Sequence, residues 1–326
     1  IGDRTVGGLS VRDQMVGPWQ VPVADCAVTA ADFSGVTGEA FALGERTPLA
    51  LLDAAAAARM AIGEALTNLV AARIKRLEDV VLSANWMAAA GHPGEDARLY
   101  AAVAAASGLC QALGICIPVG KDSMSMKSRW QDADGEHAVT SPVSLIASAF
   151  APVIDVTRSL TPLLASPLED SVLLFVDLGL GQQRLGGSVL GQVQGLLGTR
   201  APDLDAPQAL RDAFIIVQLL NETGYLLACH DRADGGLFTT LCEMAFATRC
   251  GLEVDISSLG DDTLAALFNE ELGLVLQISA ADVGAVEDQF ATTTLAGHVH
   301  RIGRPVTGRG VHITGARGFV SLQHTA

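Results

Sequence analysis

The chain has 326 residues, of which 49% are hydrophobic and 17% charged, so it is long enough for two domains and too apolar for intrinsic disorder. Acidic residues outnumber basic ones by 36 to 21, and the formal net charge of −15 opposes binding to nucleic-acid backbones and to anionic membranes. The apolar stretches have the length of strands rather than the ~20 residues of a membrane span, and no signal peptide is recognisable.

Helix and strand signals alternate along the first half of the chain, which indicates an α/β fold. The alanine-rich residues 49–74 predict one long helix, and Thr47-Pro48 before it supply an N-cap hydroxyl and a first-turn proline. A second helix is predicted over Glu95–Leu113, ended by Gly114. Buried strands are predicted at 79–84, 115–119 and 144–150.

Residues 157–170 contain two prolines and no hydrophobic period, so we predict a domain boundary there. The expected organisation is a first domain over 1–156, a linker over 157–167 and a second domain over 168–326. In the second domain the pattern predicts strands at 171–177, 225–229, 273–278, 299–302 and 311–313. It predicts helices at 186–197, 205–223, 235–248, 263–269 and 281–292.

The six cysteines form no C-x-x-C pair and have no histidine partner at a metal-binding spacing. They are expected to be buried free thiols in a reducing compartment, which makes the cytoplasm the expected location. The chain begins at Ile1, without a methionine and within a glycine-rich loop, so we expect it to be a piece of a longer protein.

The first candidate site is that glycine-rich loop, residues 2–19. Its glycines, Gly7 and Gly8 among them, allow a ligand to approach the backbone closely. Arg4 and Arg12 offer guanidinium groups for a phosphate. Ordinary turn chemistry is the alternative explanation for the loop.

Asp25, Glu64 and Asn68 offer oxygen atoms for a hard cation. Asp25 ends the apolar run VPVADC, where a carboxylate must be solvated, paired or bound to a cation. Glu64 and Asn68 are four residues apart in the predicted long helix, so they project from one otherwise apolar face. Such oxygen ligands suit Mg²⁺. The alternatives are a cap or turn role for Asp25 and a solvated helix face for the other two.

The strongest candidate is the segment HDRADGG, residues 230–236. A predicted strand runs into it and a predicted helix follows, so it lies at the carboxyl end of a strand, where α/β folds bind ligands. The amides that open the helix favour an anion, and Asp231 favours the metal that accompanies it. We interpret His230 as structural rather than as a general base, and a purely structural turn is the alternative for the whole segment.

Three further segments fit a phosphorylated ligand, although each also fits a cap or a turn. They contain Lys121 and Ser123 after a strand, Gly186, Gly187 and Ser188 at a helix start, and Glu270 and Glu271 at a glycine turn. The sequence has no G-x-S-x-G or H-E-x-x-H motif. A P-loop is excluded at Gly120-Lys121, because Asp122 follows where Ser or Thr is required.

Six stretches, in order over nearly the whole chain, resemble the second synthetase half of the large, single-chain phosphoribosylformylglycinamidine synthases. They are GDRTVGGLSVRDQMVGPWQVPVADCAVT, GERTPLALLDAAAAARMAIGEALTN, LSANWMAAAGHPGEDARLY, IPVGKDSMSMKSRW, HDRADGGL and LFNEELG. A more distant resemblance is to aminoimidazole ribonucleotide synthetase. The resemblance implies a two-domain fold like that of the latter enzyme, with a ferredoxin-like N-terminal sheet domain and a larger α/β C-terminal domain.

The resemblance also implies an ATP- and Mg²⁺-dependent ligase of purine biosynthesis. In the family reaction, formylglycinamide ribonucleotide and glutamine-derived ammonia give formylglycinamidine ribonucleotide while ATP becomes ADP and phosphate. The positions that match the motifs of the family imply four Mg²⁺ ligands, namely Asp25, Glu64, Asn68 and Asp231. The implied nucleotide contacts are Gly7, Gly8, Ala24, Lys121, Arg232 and Ala233. Candidates for contacts with phosphate or substrate are Arg12, Ser123, Gly186, Gly187 and Ser188.

Three departures from the family pattern matter: Ala233 stands where the similar motif often has serine, and both the glutaminase domain and the first synthetase half are absent. We therefore expect no amidine synthesis by this chain alone. Its first domain is expected to expose a sheet edge and face that pair with the missing half or, in a homodimer, with a second copy. The alternatives are a catalytically silent scaffold half stabilised by nucleotide, and a small-molecule kinase of the thiamine monophosphate kinase type.

Overall fold

The computed structural model describes residues 7–166 and 170–325, and its first half is built on a six-stranded mixed sheet. The strands of this first sheet are β1 (Ser10–Arg12), β2 (Ala27–Ala30), β3 (Gly38–Glu45), β4 (Val81–Met87), β5 (Cys116–Ser123) and β8 (Ser144–Val153). Their order is β1-β2-β3-β8-β4-β5, and β4 pairs with β5 in parallel while the other pairs are antiparallel. A separate hairpin consists of β6 (Lys127–Asp132) and β7 (Gly135–Thr140).

Two helices, α1 (Ala54–Leu69) and α2 (Glu95–Leu113), belong to the same half, and α1 covers one face of the first sheet. Strand β3 alternates between buried and exposed positions, which places Ala42 and Gly44 towards the helix and Leu43 on the opposite face. No helix of residues 7–166 or 170–325 covers that face, which we call the helix-free face. Small residues on the covered side let the backbone of α1 approach the sheet closely.

Gly44 marks the tightest point of this approach. A methyl group on Gly44 would lie 2.0 Å from the carbonyl oxygen of Ala61 and 2.5 Å from the amide nitrogen of Ala65, both in the backbone of α1. Because backbone cannot rotate away, we expect Gly44→Ala to lower the free energy of unfolding by at least ~2 kcal/mol. Chemical denaturation measures this change.

The control is Gly108→Ala in α2, because nothing lies within 4 Å of a methyl group at that position. Removing a glycine from a helix interior should raise the free energy of unfolding by about 0.5–1 kcal/mol. Equal effects of the two substitutions would contradict the close approach of α1 and β3.

The second half is built on a seven-stranded mixed sheet with helices on both faces. Its strands are β9 (Ser171–Asp177), β10 (Leu226–Asp231), β11 (Gly251–Asp255), β12 (Gly273–Ser279), β13 (Val299–Val306), β14 (Gly310–Gly315) and β15 (Gly318–Gln323), in the order β10-β12-β9-β13-β11-β14-β15. Its helices are α3 (Val189–Val193), α4 (Pro207–Thr223), α5 (Gly236–Thr248), α6 (Thr263–Phe268) and α7 (Val283–Phe290).

Strand β9 lies inside the second sheet and is buried on both faces. Leu173 and Phe175 pack with the helices α5 and α6 in one core, whereas Leu174 and Val176 belong to a core that continues into the first half of the chain. Gln218 of α4 joins the halves there, because its side-chain amide donates to the carbonyl oxygens of Val70 and Ala72, both at 2.9 Å. The two sheets are therefore held by one continuous apolar core.

The predicted two-domain α/β fold is confirmed. Its first sheet differs from a simple ferredoxin-like pattern, because α2 connects β4 to an adjacent parallel strand, β5, with no strand between them. The predicted boundaries at 156 and 168 stay a prediction, although β8 ends at Val153 and β9 begins at Ser171.

Two predicted helices were too long. The stretch 49–74 divides into a 3₁₀ turn over Thr47–Leu51 and α1, because the Asp53 carboxylate accepts a hydrogen bond from the amide of Ala56 at 2.9 Å and caps a new helix. The helix expected over 186–197 is reduced to α3. In contrast, α2 was predicted with the bounds it has, since Gly114 adopts the left-handed conformation that ends it.

All six cysteines are free thiols, and five of them are buried while Cys116 is exposed on the edge strand β5. Burial raises the pKa of Cys26 to about 12, since a buried thiolate is poorly solvated. In the described part of the chain, no helix has the length and apolarity needed to cross a membrane.

Candidate functional site

The two sheets meet at the ends of four strands. In the first sheet Asp25 lies two residues before β2, and the antiparallel register of β2 and β3 places it near the end of β3 at Glu45. In the second sheet β10 ends at Asp231, next to the start of β12. The contact is direct, since the Nδ1 atom of His230 lies 2.5 Å from an Asp25 oxygen. The candidate site is thus made by both halves of the chain.

Asp25, His230 and Asp231 form a compact acidic cluster. One potential ligand atom from each residue lies within 4.8 Å of the others. The Oδ2 atoms of Asp25 and Asp231 are buried and have no hydrogen-bond partner among the described residues. Because burying a carboxylate oxygen without a partner is costly, these two atoms are suited to a divalent cation.

His230 connects the cluster to a third acid. Its Nδ1 atom faces Asp25, and its Nε2 atom lies 2.8 Å from Glu243 of α5. Burial opposes protonation of the ring, but the adjacent Asp25 carboxylate and the hydrogen bonds to both acids outweigh burial and raise the pKa of His230 well above its usual value. A charged His230 compensates part of the negative charge, which agrees with the structural role expected for it.

Asp231 is ionised at a cost in free energy, because it is buried beside other acids. Burial, followed by repulsion from Asp25, raises the pKa of Asp231 well above its usual value, and Glu64 adds to this repulsion. The sequence placed these three carboxylates on separate elements, and the fold brings their charges within interaction range. A bound cation would relieve the repulsion between them.

Arg46, the residue after β3, is a buried cation next to the acidic cluster. It is 3% exposed and is surrounded by three carboxylates: Glu64 at 3.3 Å, Asp234 at 2.8 Å and Glu270 at 3.5 Å. Its Nη2 atom is buried without a hydrogen-bond partner in the described structure. The guanidinium therefore retains a donor for an anionic group next to the acidic cluster.

Glu64 and Asn68 lie one turn apart on α1, as predicted, and both contact β3. Glu64 accepts a hydrogen bond from the amide of Glu45 at 2.7 Å, and its other oxygen faces Arg46. The side-chain amide of Asn68 donates to the carbonyl oxygen of Leu43 at 3.1 Å. Glu64 is thus already paired, whereas the hydrogen bond of Asn68 uses only its side-chain nitrogen.

Arg232, a predicted nucleotide contact, is buried among protein groups. Its Nε atom donates to the carbonyl oxygen of Glu271 at 2.6 Å, and its Nη2 atom donates to Asp177 at 2.9 Å and to the carbonyl oxygen of Leu272 at 2.8 Å. The guanidinium also lies over the ring of Phe175. These contacts tie the end of β10 to β9 and β12.

Glu270 occupies the helix starts at which an anion was expected. Its Oε1 atom accepts hydrogen bonds from the amides of Val189 and Gly235, both at 2.8 Å. The preceding glycines are closely packed, and the amides of Gly186 and Gly187 bond to backbone carbonyl oxygens. The hydroxyl of Ser188 caps α3 by accepting from the amide of Gly191 at 3.2 Å. An intrinsic carboxylate thus stands where a phosphate was predicted.

The remaining predicted residues lie at different distances from the cluster. Arg12 is near it, because its charge acts on the Cys26 thiol beside Asp25. Ala24 precedes Asp25 and Ala233 lies in the turn after Asp231, both partly exposed. Gly7 and Gly8 are exposed ahead of β1, and Arg4 lies outside the described residues.

Lys121 and Ser123 lie on the edge strand β5, and the Lys121 ammonium is 2.5 Å from the Ser123 hydroxyl. Three strands separate β5 from β2 in the first sheet, so they are roughly 19 Å from the strand that follows Asp25. The structure does not bring these two residues to the acidic cluster.

Arg46 and Glu243 were not predicted from the sequence as residues of the site, and the role of Glu270 was not predicted either. Arg46 lies in the quoted stretch GERTPLAL, where an Arg directly after an apolar strand was the available signal. Nothing local marks Glu243, which lies within the apolar helix α5. Its position opposite His230 depends on the fold of the turn between β10 and α5.

Comparison with known protein families agrees with this architecture. Residues 1–152 match the model of the FGAR-AT PurM_N-like domain, and residues 170–315 match that of the C-terminal domain of AIR synthase related proteins. Each half of the chain therefore matches one of these two domain models.

Solved structures share the fold at low sequence identity. A structure described as T. maritima PurL complexed with FGAR has a TM-score of 0.70 and 9% identity, with 95% of this chain and 48% of that chain covered. T. maritima PurL complexed with ATP has a TM-score of 0.66 and 11% identity, with 95% and 47% covered. E. coli HypE, a hydrogenase maturation protein, has a TM-score of 0.57 and 18% identity, with 88% and 84% covered. The chain thus spans less than half the length of these PurL structures.

Proposed function

We propose that the chain binds ATP or ADP together with Mg²⁺ at the acidic cluster between its two sheets. The observation that carries the proposal is the convergence of Asp25 and Asp231 from different sheets, each with a buried oxygen that lacks a hydrogen-bond partner in the described structure. Such a pair of oxygens fits a hard cation, and a polyphosphate would supply the charge that the cation balances.

Different residues of the chain would hold the cation and the phosphates of such a ligand. Asp25 and Asp231 would bind the cation directly, and Asn68 would add a neutral oxygen from α1. Glu64 would hold Arg46 in place, so that the free Nη2 donor of Arg46 meets a phosphate oxygen. When bound, the cation neutralises phosphate charge. Burial raises the pKa of Asp25, and the hydrogen bond from His230 orients Asp25 and opposes this rise.

The activity we propose for the complete protein is the formation of formylglycinamidine ribonucleotide from formylglycinamide ribonucleotide, ammonia and ATP. Support comes from the PurM-like domains and from the PurL structures complexed with ATP and FGAR. Since the chain spans less than half of those structures, we propose that a first synthetase half completes the reaction and that a glutaminase supplies the ammonia. A cytoplasmic location agrees with the free thiols.

A second candidate function is a scaffold that holds nucleotide without turning it over. Ala233, in the turn beside Asp231, provides no hydroxyl for a nucleotide, and this absence favours the scaffold. In that case nucleotide would raise the thermal unfolding temperature, but no phosphate would be released when formylglycinamide ribonucleotide and ammonia are added.

Titration calorimetry tests the nucleotide proposal. We expect ADP to bind in the presence of Mg²⁺ and to bind at least about tenfold more weakly when EDTA removes the cation, because two uncompensated carboxylates would then face the phosphates. Affinity that is the same with Mg²⁺ and with EDTA would contradict a cation at the cluster.

We also propose that the helix-free face of the first sheet pairs with another sheet, either the first synthetase half or a second copy of the chain. This face carries exposed apolar side chains, among them Leu43 at 47%, Phe150 at 41% and Val119 at 63% exposed, and β5 is an unpaired edge. An exposed apolar face with an open edge favours sheet pairing.

Light scattering after size-exclusion chromatography should therefore show a dimer, and Phe150→Lys should shift it towards the monomer, because a charge would be buried in the contact. The control is Phe319→Lys on β15, where the ring is 79% exposed in the other half of the chain. A monomer at high concentration, or a dimer that tolerates Phe150→Lys, would argue against pairing through this face.

A further inference from the structure

A pocket of about 540 Å³ lies beside the hairpin β6–β7, and its residues have no role in the site described above. Its walls are residues 89–93 after β4 and the segment that joins β5 to β6. Backbone hydrogen bonds fix the walls, such as those from the amide of Ala90 to the oxygen of Met124 at 2.9 Å and from Met126 to Ala88 at 3.2 Å. A preformed cavity of this size holds a small metabolite.

The pocket concentrates positive charge in an acidic protein. Lys127 and Arg129 are two residues apart on β6, so both project from one side of the hairpin into the pocket. Neither makes a salt bridge with any residue of 7–166 or 170–325, and Arg129 makes no hydrogen bond there. In contrast, arginines elsewhere, such as Arg59 and Arg301, are paired with carboxylates.

His92 supplies a third polar group. Its Nδ1 atom lies 3.3 Å from the Lys127 ammonium, which has only donors, so Nδ1 accepts and the ring proton is on Nε2. That N–H has no partner in the part of the chain that is described. Two acids lie near the pocket: Asp96 accepts from the amide of Gly91 in the pocket wall at 2.8 Å, and Glu95 pairs with Arg98 at 2.9 Å.

We propose that this pocket binds the phosphate group of a sugar phosphate. Lys127 and Arg129 would balance the two charges of a phosphate monoester, and the Nε2–H group of His92 would donate a further hydrogen bond. The volume exceeds that of a phosphate ion, which leaves room for a five-carbon sugar. A carboxylate ligand would fit less well, because it carries one charge and the pocket presents two unpaired cations.

The pocket lies at the same end of the first sheet as the acidic cluster. The register places Glu45, Ile146, Asn85 and Lys121 in one row across β3, β8, β4 and β5. Strand β3 is followed by Arg46, and strand β4 is followed by the wall of the pocket. Because one strand, β8, lies between β3 and β4, the ends of these two strands are about 10 Å apart. A sugar phosphate held here would extend its other end towards the cluster. This step rests on the proposed function, in which the substrate is a ribonucleotide.

Titration of the whole chain with ribose 5-phosphate, monitored by phosphorus NMR, tests the proposal. A calorimetric titration with ribose shows whether binding requires the phosphate. We expect ribose 5-phosphate to bind and ribose not to bind. Lys127→Gln and Arg129→Gln should each weaken binding by about tenfold, the loss of one charged hydrogen bond. Arg309→Gln is the matched control, because Arg309 is exposed and remote from the pocket.

The proposal would be overturned if ribose 5-phosphate did not bind or if ribose bound equally well. It would also be overturned if the variant that combines Lys127→Gln with Arg129→Gln kept its affinity for ribose 5-phosphate. Both substituted side chains lie at the surface, and thermal unfolding confirms that the variants are folded. ADP with Mg²⁺ should bind Lys127→Gln as it binds the unaltered chain. If ribose 5-phosphate binds as expected and ADP does not bind at all, the pocket stands and the proposed nucleotide site fails.

Discussion

Asp231→Asn should weaken the binding of ADP with Mg²⁺ by on the order of 100-fold without destabilising the protein free of ligand. The substitution retains the shape of the side chain and removes a negative charge that is buried beside Asp25 and within range of Glu64. Calorimetry measures the affinity, and thermal unfolding without nucleotide measures the stability.

The two readouts separate a ligand-binding role from a structural one. Because the folded protein raises the pKa of Asp231, its ionised form costs stability at neutral pH, and the neutral amide should leave the unfolding temperature unchanged or higher. Asp261→Asn is the control, since the Asp261 side chain is 82% exposed and pairs only with an exposed Arg317. Lower unfolding temperature with unchanged affinity would show that Asp231 is structural.

Arg232→Met should lower the free energy of unfolding by about 3–5 kcal/mol, the typical cost of removing one partner from a buried ion pair. It would leave the Asp177 carboxylate without its cation and the carbonyl oxygen of Glu271 without its donor, and the carbonyl oxygen of Leu272 would keep only the amide of Leu178. Arg232→Lys should recover little of this loss, because one ammonium cannot reproduce the planar set of donors. Urea denaturation measures both variants.

This result decides between the two roles of Arg232. A nucleotide contact, as the motif implied, predicts weaker binding of ADP at unchanged stability, whereas the buried contacts predict the opposite. Arg317→Met is the control, because its guanidinium pairs with Asp261 at the surface and should contribute little. A stable Arg232→Met variant that no longer binds ADP would restore the original prediction.

Several features of the site follow from local sequence. The spacing of Glu64 and Asn68 places both on one face of α1, and the residues around Asp231 form the turn between a strand and a helix, as predicted. Local rules succeed here because hydrogen bonding within a helix or at a strand end involves near neighbours. The same rules failed to place β2 and β3, whose small residues, AVTA and GEAFALGE, give a weak strand signal.

By itself, the sequence determined the class of fold, the individual turns and helices that carry the acids, and the residue types available to a cation. Only the tertiary structure decided which of them meet. Asp25 and His230 are 205 residues apart, and Arg46 and Glu270 are 224 apart, so no local pattern records either contact. These pairs form because the continuous apolar core between the sheets brings the ends of β2, β3 and β10 together, and burial then requires every charge there to find a partner or a ligand.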